Sequence, residues 1–314
     1  PAILYYFAVI LQVHYRAGKR DLKGIPRADL PRVKEVLLER GHLLIPIIGL
    51  IVMLFMNMPI PRAAIFTIFL TIIVATLRKS TRMSFRGIFD AMANGAQQAL
   101  SVMIACAVVG VIIGVVSLTG FGAVLTSAIA SIGAGSLFLT LFFTMIASMV
   151  LGMGLPSIPA YIITATMAAP ALAEFGVPVL LAHMFVFYFG IFANVTPPVA
   201  LASYVAAGMS GAGTNEVGWA AVKLALAGFI VPFFFIYAPA ILLQADSSLV
   251  IAWAAVSGLM GAALLSVAVE GFLFVNLPFL IRLLFFASAL SLIAPGINSD
   301  LIGFGLAAIA IAGT

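Results

Sequence analysis

Charge is what this 314-residue chain has least of: Asp, Glu, Lys and Arg make up 8% of it, against about 25% in an ordinary soluble domain. Hydrophobic residues make up 64%, and the mean hydropathy is +1.26. No water-soluble globule could hide that much apolar surface, so the chain is a polytopic integral membrane protein. Cysteine is nearly absent too. Cys106 stands alone in an apolar run, which excludes an intrachain disulfide and a cysteine metal framework and leaves it a packing role. There is no Gly-x-Ser-x-Gly elbow, metal motif or phosphate-binding loop. Ser157 and His183 could be assembled into a hydrolytic dyad, but Ser157 is surrounded by prolines rather than by an oxyanion-hole signature. An enzyme is not expected. The sequence opens on Pro1 inside an apolar stretch, with no basic segment or cleavage site. It therefore reads as the later portion of a longer polypeptide.

The few charges are unevenly placed. The formal net charge is +5, yet twelve of the fifteen basic residues fall in two short segments. Residues 16–40 hold Arg16, Lys19, Arg20, Lys23, Arg27, Arg32, Lys34 and Arg40, and residues 78–86 hold Arg78, Lys79, Arg82 and Arg86. A hydrophobic hairpin lies between them, 43–57 and 60–77, turning at Asn57-Met58-Pro59-Ile60-Pro61. Two crossings put both basic segments on one face, and the positive-inside rule makes that face cytoplasmic. The basic residues are thus topology signals, and no nucleic-acid partner is expected.

The fold class that follows is all-α, and each hairpin arm approaches the ~20 residues of a full span. Residues 1–15 read as the end of a membrane helix, and Leu30–Leu38 as a short surface helix. Residues 81–96 mix polar and apolar side chains, either as an amphipathic interfacial helix or as an ordinary connector. Apolar helices are expected at 98–118, 121–132, 135–151, 157–173, 178–193, 198–209, 219–243, 249–270, 278–294 and 300–312. Pro1-Ala2-Ile3-Leu4 recurs as Pro239-Ala240-Ile241-Leu242. This suggests a tandem repeat whose first copy mostly precedes the chain.

Two polar breaks interrupt the apolar sequence: Gly152-Met153-Gly154-Leu155-Pro156-Ser157 and Asn194-Val195-Thr196-Pro197-Pro198. Helix-breaking residues at membrane depth are tolerated only where protein or a water-filled cavity covers them, because unsatisfied backbone is costly in lipid. In the first break, Gly152 and Gly154 permit special conformations and Pro156 removes a donor, leaving carbonyls free for a small cation. Ser157 is placed to cap the outgoing helix or to add a hydroxyl ligand. In the second, Asn194 and Thr196 supply side-chain oxygens, and Pro197 and Pro198 leave carbonyls without helical partners. A helix resuming at Val199 points its positive end at the gap, favouring an anion. The bland alternatives are a plain interhelical turn and a sealed proline kink.

Other polar residues have plainer readings. Glu174 marks a membrane boundary or, more sharply, a proton relay. His183 is a satisfied interfacial histidine or a pH-sensitive group. Lys223 snorkels, and Glu270 ends a helix.

Leu151-Gly152-Met153-Gly154-Leu155-Pro156-Ser157-Ile158-Pro159-Ala160-Tyr161, then Ala182-His183-Met184-Phe185-Val186-Phe187-Tyr188, then Val195-Thr196-Pro197-Pro198-Val199-Ala200-Leu201-Ala202 form a specific block. It resembles the large, DctM-like membrane subunit of tripartite ATP-independent periplasmic (TRAP) transporters, in the fused form whose binding protein is called TAXI. The tail, Glu270-Gly271-Phe272 and Ala294-Pro295-Gly296 to Asp300-Leu301-Ile302-Gly303, fits the fused type.

The resemblance implies an elevator fold of two inverted repeats in a bacterial or archaeal inner membrane. Residues 1–15 would close the first repeat, 16–41 would be a cytoplasmic linker, 42–244 the second repeat, and 245–314 the added helices of the fused type. Within the second repeat, 135–173 would be a re-entrant hairpin and 178–209 a discontinuous helix. Segment 81–96 would be an arm helix. Gly152, Gly154, Ser157, Asn194 and Thr196 would form a sodium site beside the substrate, with Pro156, Pro197 and Pro198 making the breaks. The implied function is uptake of organic anions, C4-dicarboxylates among them, delivered by a periplasmic TAXI-type protein. The coupling ion would be sodium, or a proton in some members, with no other cofactor. A binding-protein-independent sodium/dicarboxylate symporter of the same fold, and a passive channel, are the alternatives. The first-repeat residues that would complete the pocket lie outside this chain, so this portion alone should not transport.

Overall fold

The computed structural model describes every residue except Arg27, Ala28, Ala134, Asp246 and Pro295, and the side chain of Ser101. The expectations attached to Arg27 and Pro295 therefore lie outside the described residues. The chain is 79% helical and, among the described residues, contains no strand. It divides into two units, Lys23–Ser101 and Pro1–Leu22 together with Val102–Thr314.

Helix α1, Ala2–Lys19, belongs to the larger unit. The smaller unit begins with α2, Val33–Arg40, exposed throughout and followed by a 3-10 turn, Gly41–Leu44. Arg78 donates to the carbonyls of Leu38 and Glu39, capping α2 with a cation where its dipole is negative. Helices α3, Ile45–Phe55, and α4, Ile60–Thr76, form the expected hairpin, each with proline in its first turn, where no donor is lost. Asn57 turns the corner at φ 58°, a conformation its short polar side chain tolerates.

Helix α5, Phe85–Thr119, runs unbroken through 35 residues. The expected mixed segment and apolar helix are thus one element, because nothing between them is a strong helix breaker. It ends at Gly120, φ 68°, and α6, Phe121–Ile132, follows. Then come α7, Leu137–Gly152, α8, Ser157–Met167, and α9, Ala169–Ala173. The last two were expected as one helix; Pro170 cannot continue the ladder and starts a new turn. Helices α10, Val179–Phe192, and α11, Leu201–Ser210, flank the second break.

The expected helix at 219–243 is two, α12, Thr214–Leu224, and α13, Leu226–Tyr237. At this joint sits the fully buried carboxamide of Gln12. With its nitrogen turned towards α12 it donates to the Lys223 and Leu224 carbonyls at 3.2 and 2.8 Å, satisfying groups freed by the break. Pro239–Leu242 form a 3-10 turn after α13, whereas the matching residues near Pro1 open a long helix. The four-residue match therefore does not carry a shared local structure.

Helices α14, Ser248–Glu270, α15, Phe279–Ile293, and α16, Ile297–Ala312, complete the larger unit. Among the described residues, four segments are long and apolar enough to span a membrane: Val33–Phe55, Phe85–Thr119, Thr214–Tyr237 and Ser248–Glu270. The core of the larger unit is aromatic. Phe185 and Phe189 on α10 are fully buried with ring centroids 4.8 Å apart, and Phe185 meets Phe233 of α13 edge to face at 5.4 Å. Such geometry suits the ring quadrupoles.

Candidate functional site

The first break is short. Helix α7 ends at Gly152, Met153 leaves it in an extended conformation, Gly154 turns at φ 72°, and Pro156 delivers the chain into α8. Only Gly154 needs left-handed backbone. Gly152 is helical and buried, and its role is steric: a Cβ there would strike the carbonyl oxygen, Cα and carbonyl carbon of Gly190 on α10. Gly190 in turn faces Thr164 and Ala160 of α8. The hairpin α7–α8 thus crosses α10 with backbone against backbone, the close approach that small residues allow in membranes.

At the second break, Ala202 N reaches back to Asn194 O at 3.0 Å, and Ala200 N to Thr196 O at 3.1 Å. Ser203 Oγ donates to Val195 O at 3.1 Å, and Tyr204 Oη to Pro198 O at 2.5 Å. The carbonyls of Asn194, Val195, Thr196 and Pro198 therefore each accept one bond already, although each oxygen keeps a second lone pair. The Pro197–Pro198 peptide is cis, and Ala200 is buried at φ 35°. Helix α11 begins at Leu201 rather than at 198 or 199.

The two breaks meet. Asn194 Nδ2 donates to Leu155 O at 3.1 Å, leaving Asn194 Oδ1 as an acceptor. A methyl group at Gly154 would lie 3.7 Å from Val199 Cγ1, so the hairpin tip sits against the second break. Thr196, 8% exposed, donates its hydroxyl to Phe192 O. It also borders an apolar cavity of about 560 Å³ lined by Phe138, Phe142, Met145 and Phe233 among others. Pro197 packs on Gly218 of α12. Ser157 stands apart. It is exposed at the first position of α8, the N-cap is Pro156, and no side chain caps that end. Gly154, Leu155 and Asn194 are therefore brought together, Thr196 lies in the same break, and the expected capping role of Ser157 is unfilled.

Of the other polar residues, His183 Nδ1 pairs with Tyr161 Oη at 3.0 Å, joining α8 to α10. Glu174 is exposed beside a cavity of about 570 Å³ that also includes Thr126, Ser127 and Thr166. Glu270 ends α14, where Lys19 Nζ donates to its carbonyl at 2.7 Å. Sequence reasoning missed a polar stripe on α7, where Thr140, Thr144 and Ser148 are all fully buried and spaced by four. The Thr144 and Ser148 hydroxyls have no partner among the described residues. A small polar residue at every fourth position of an apolar helix is the signal that could have found it. Asp300 was missed as well; it is buried, with Trp253 Nε1 donating to Oδ2 at 2.6 Å.

A family model described as "Tripartite ATP-independent periplasmic transporter, DctM component" matches residues 1–250. Neither a curated protein nor a solved structure matches the chain.

Proposed function

Since the chain belongs to the DctM family of tripartite ATP-independent periplasmic transporters, we propose that the paired breaks form the cation-coupling site of a sodium-driven importer of organic anions. Family membership makes the chain a multi-pass component of a secondary transport system that works with a periplasmic binding protein, in a transport family rather than an enzymatic one. The observation that carries the finer reading is the Asn194–Leu155 hydrogen bond, which fastens one interruption to the other.

Asn194 Oδ1, the Thr196 hydroxyl and the carbonyls around Gly152–Leu155 form an uncharged, all-oxygen donor set. Unwound backbone carbonyls of this kind suit Na⁺. The N-terminal ends of α8 and α11 present partial positive charge, which favours the carboxylate of a substrate. A cation bound between the breaks would hold the hairpin tip against the discontinuous helix. Coupling follows, because the hairpin closes over substrate only when the cation is present, and the closed domain then moves as an elevator. Under this reading the binding protein is of the TAXI type, the membrane is the bacterial or archaeal inner membrane, and residues 245–314 are the added helices of the fused type.

The test is uptake by the complete transporter in proteoliposomes, supplied with its substrate-loaded binding protein. Uptake should require both an inward sodium gradient and the binding protein. Uptake that continues unchanged without any ion gradient would remove the coupled reading, and uptake of free substrate without the binding protein would remove the tripartite one.

A further inference from the structure

The unit ends in three helices, α14–α16, almost wholly beyond residue 250 where the family match stops, and a buried acid stands at one end of them. Asp300 lies in the first turn of α16 and is 4% exposed. Its Oδ2 accepts the Trp253 indole, but Oδ1, which is buried, has no partner among the described residues. A buried carboxylate oxygen without a donor is costly. Asp300 borders two adjoining cavities, of about 680 and 310 Å³. Among the described residues, no Lys, Arg or His lines either one. The larger cavity has apolar walls, with Leu249, Val256 and Ile297 exposed on them. Lys19, from the basic segment, meets the C-terminal end of α14, whereas Trp253 and its partner Asp300 lie towards the N-terminal end, and so towards the opposite membrane face.

We propose that this is a binding site for a phospholipid with a primary ammonium headgroup, of the phosphatidylethanolamine type. The ammonium donates to Asp300 Oδ1 while Trp253 holds Oδ2, and the acyl chain lies along Val256 and Ile297. Charge complementarity selects the head, because the site offers one unpaired acceptor and no cation to hold a phosphate. The apolar walls select an amphiphile over a soluble amine.

Trp253 is the reporter. In the complete transporter, with every other tryptophan including Trp219 replaced by phenylalanine, its quenching is measured in phosphatidylcholine vesicles doped with brominated phosphatidylethanolamine. The same mole fractions of brominated phosphatidylcholine or phosphatidylglycerol serve for comparison. Phosphatidylcholine carries the same charge but no N–H donor. The expected preference for phosphatidylethanolamine is about tenfold, equivalent to ~1.4 kcal/mol. Asp300→Asn, nearly isosteric and still able to accept from Trp253, should abolish it. Ala252→Phe, which fills the apolar cavity and keeps the acid, should abolish it independently. Equal quenching by all three lipids in the otherwise native protein would overturn the proposal and leave the acid to water. A preference that survives both substitutions would overturn it as well.

Discussion

Gly152→Ala tests the crossing on which the candidate site is built. A Cβ at Gly152 would overlap the carbonyl group and Cα of Gly190. These are backbone atoms of a packed helix, so no side chain can swing aside; α7 and α10 must separate. Overpacking of this kind costs ~1–3 kcal/mol, and rigid obstacles place the loss at the upper end or beyond it. Gly190→Ala is the informative contrast. Its Cβ would meet Thr164 Cγ2 at 3.2 Å and Oγ1 at 3.3 Å, side-chain atoms that can yield. Gly208→Ala on α11, with nothing within 4 Å, is the control, and is expected to be neutral or to gain up to ~1 kcal/mol of helix propensity. Unfolding of the purified transporter in mixed micelles gives the order: Gly152→Ala the worst, Gly190→Ala mild, Gly208→Ala harmless. Separating the helices also pulls the hairpin tip from Asn194, so uptake should fall with stability. Wild-type stability in Gly152→Ala would refute the close approach of α7 and α10.

Gly154 sits at φ 72°, where a side chain costs roughly 1–2 kcal/mol and a β-branched one fits worst. Gly154→Asn should keep sodium-dependent uptake, and Gly154→Val should lose it at normal expression; equal activity of the two would contradict this. Arg282 Nε and Nη2 donate to the Ala268 and Val269 carbonyls at 3.0 and 3.2 Å, capping α14. Arg282→Lys cannot reproduce that fork, and denaturant unfolding should show a loss of about 1–2 kcal/mol.

Much of the architecture was legible because hydrophobic segments and their punctuation are local. Pro59 and Pro61 fixed the α3–α4 turn, Gly and Pro marked the first break, and many helix ends lie within a few residues of those expected, although α5 starts well before 98 and the expected helices 157–173 and 219–243 are each divided. What depended on distant partners was not legible. Gly152 read as a residue needed for backbone freedom, but its role is set by Gly190, thirty-eight positions away in sequence. The second break read as a set of open carbonyls, yet Ser203 and Tyr204 return across it to Val195 and Pro198, eight and six residues back, beyond the three or four residues a hydroxyl reaches within a helix. Likewise, the division of α12 from α13 is met by Gln12, more than two hundred residues upstream. The pairing of Asp300 with Trp253 across 47 residues had no local signal. Asn194 was recognised from its amide, whereas its bond to Leu155, which joins the breaks, is a tertiary fact.

The sodium dependence of uptake in Asn194→Ala, measured beside the wild type at saturating substrate-loaded binding protein, tests the coupling site most directly. Removing the amide deletes both the bond to Leu155 and the Oδ1 ligand. The sodium concentration for half-maximal uptake should rise by about tenfold or more, as expected for a loss of ~1.4 kcal/mol or more, while expression is retained. An unchanged sodium dependence would show that coupling lies elsewhere in the transporter.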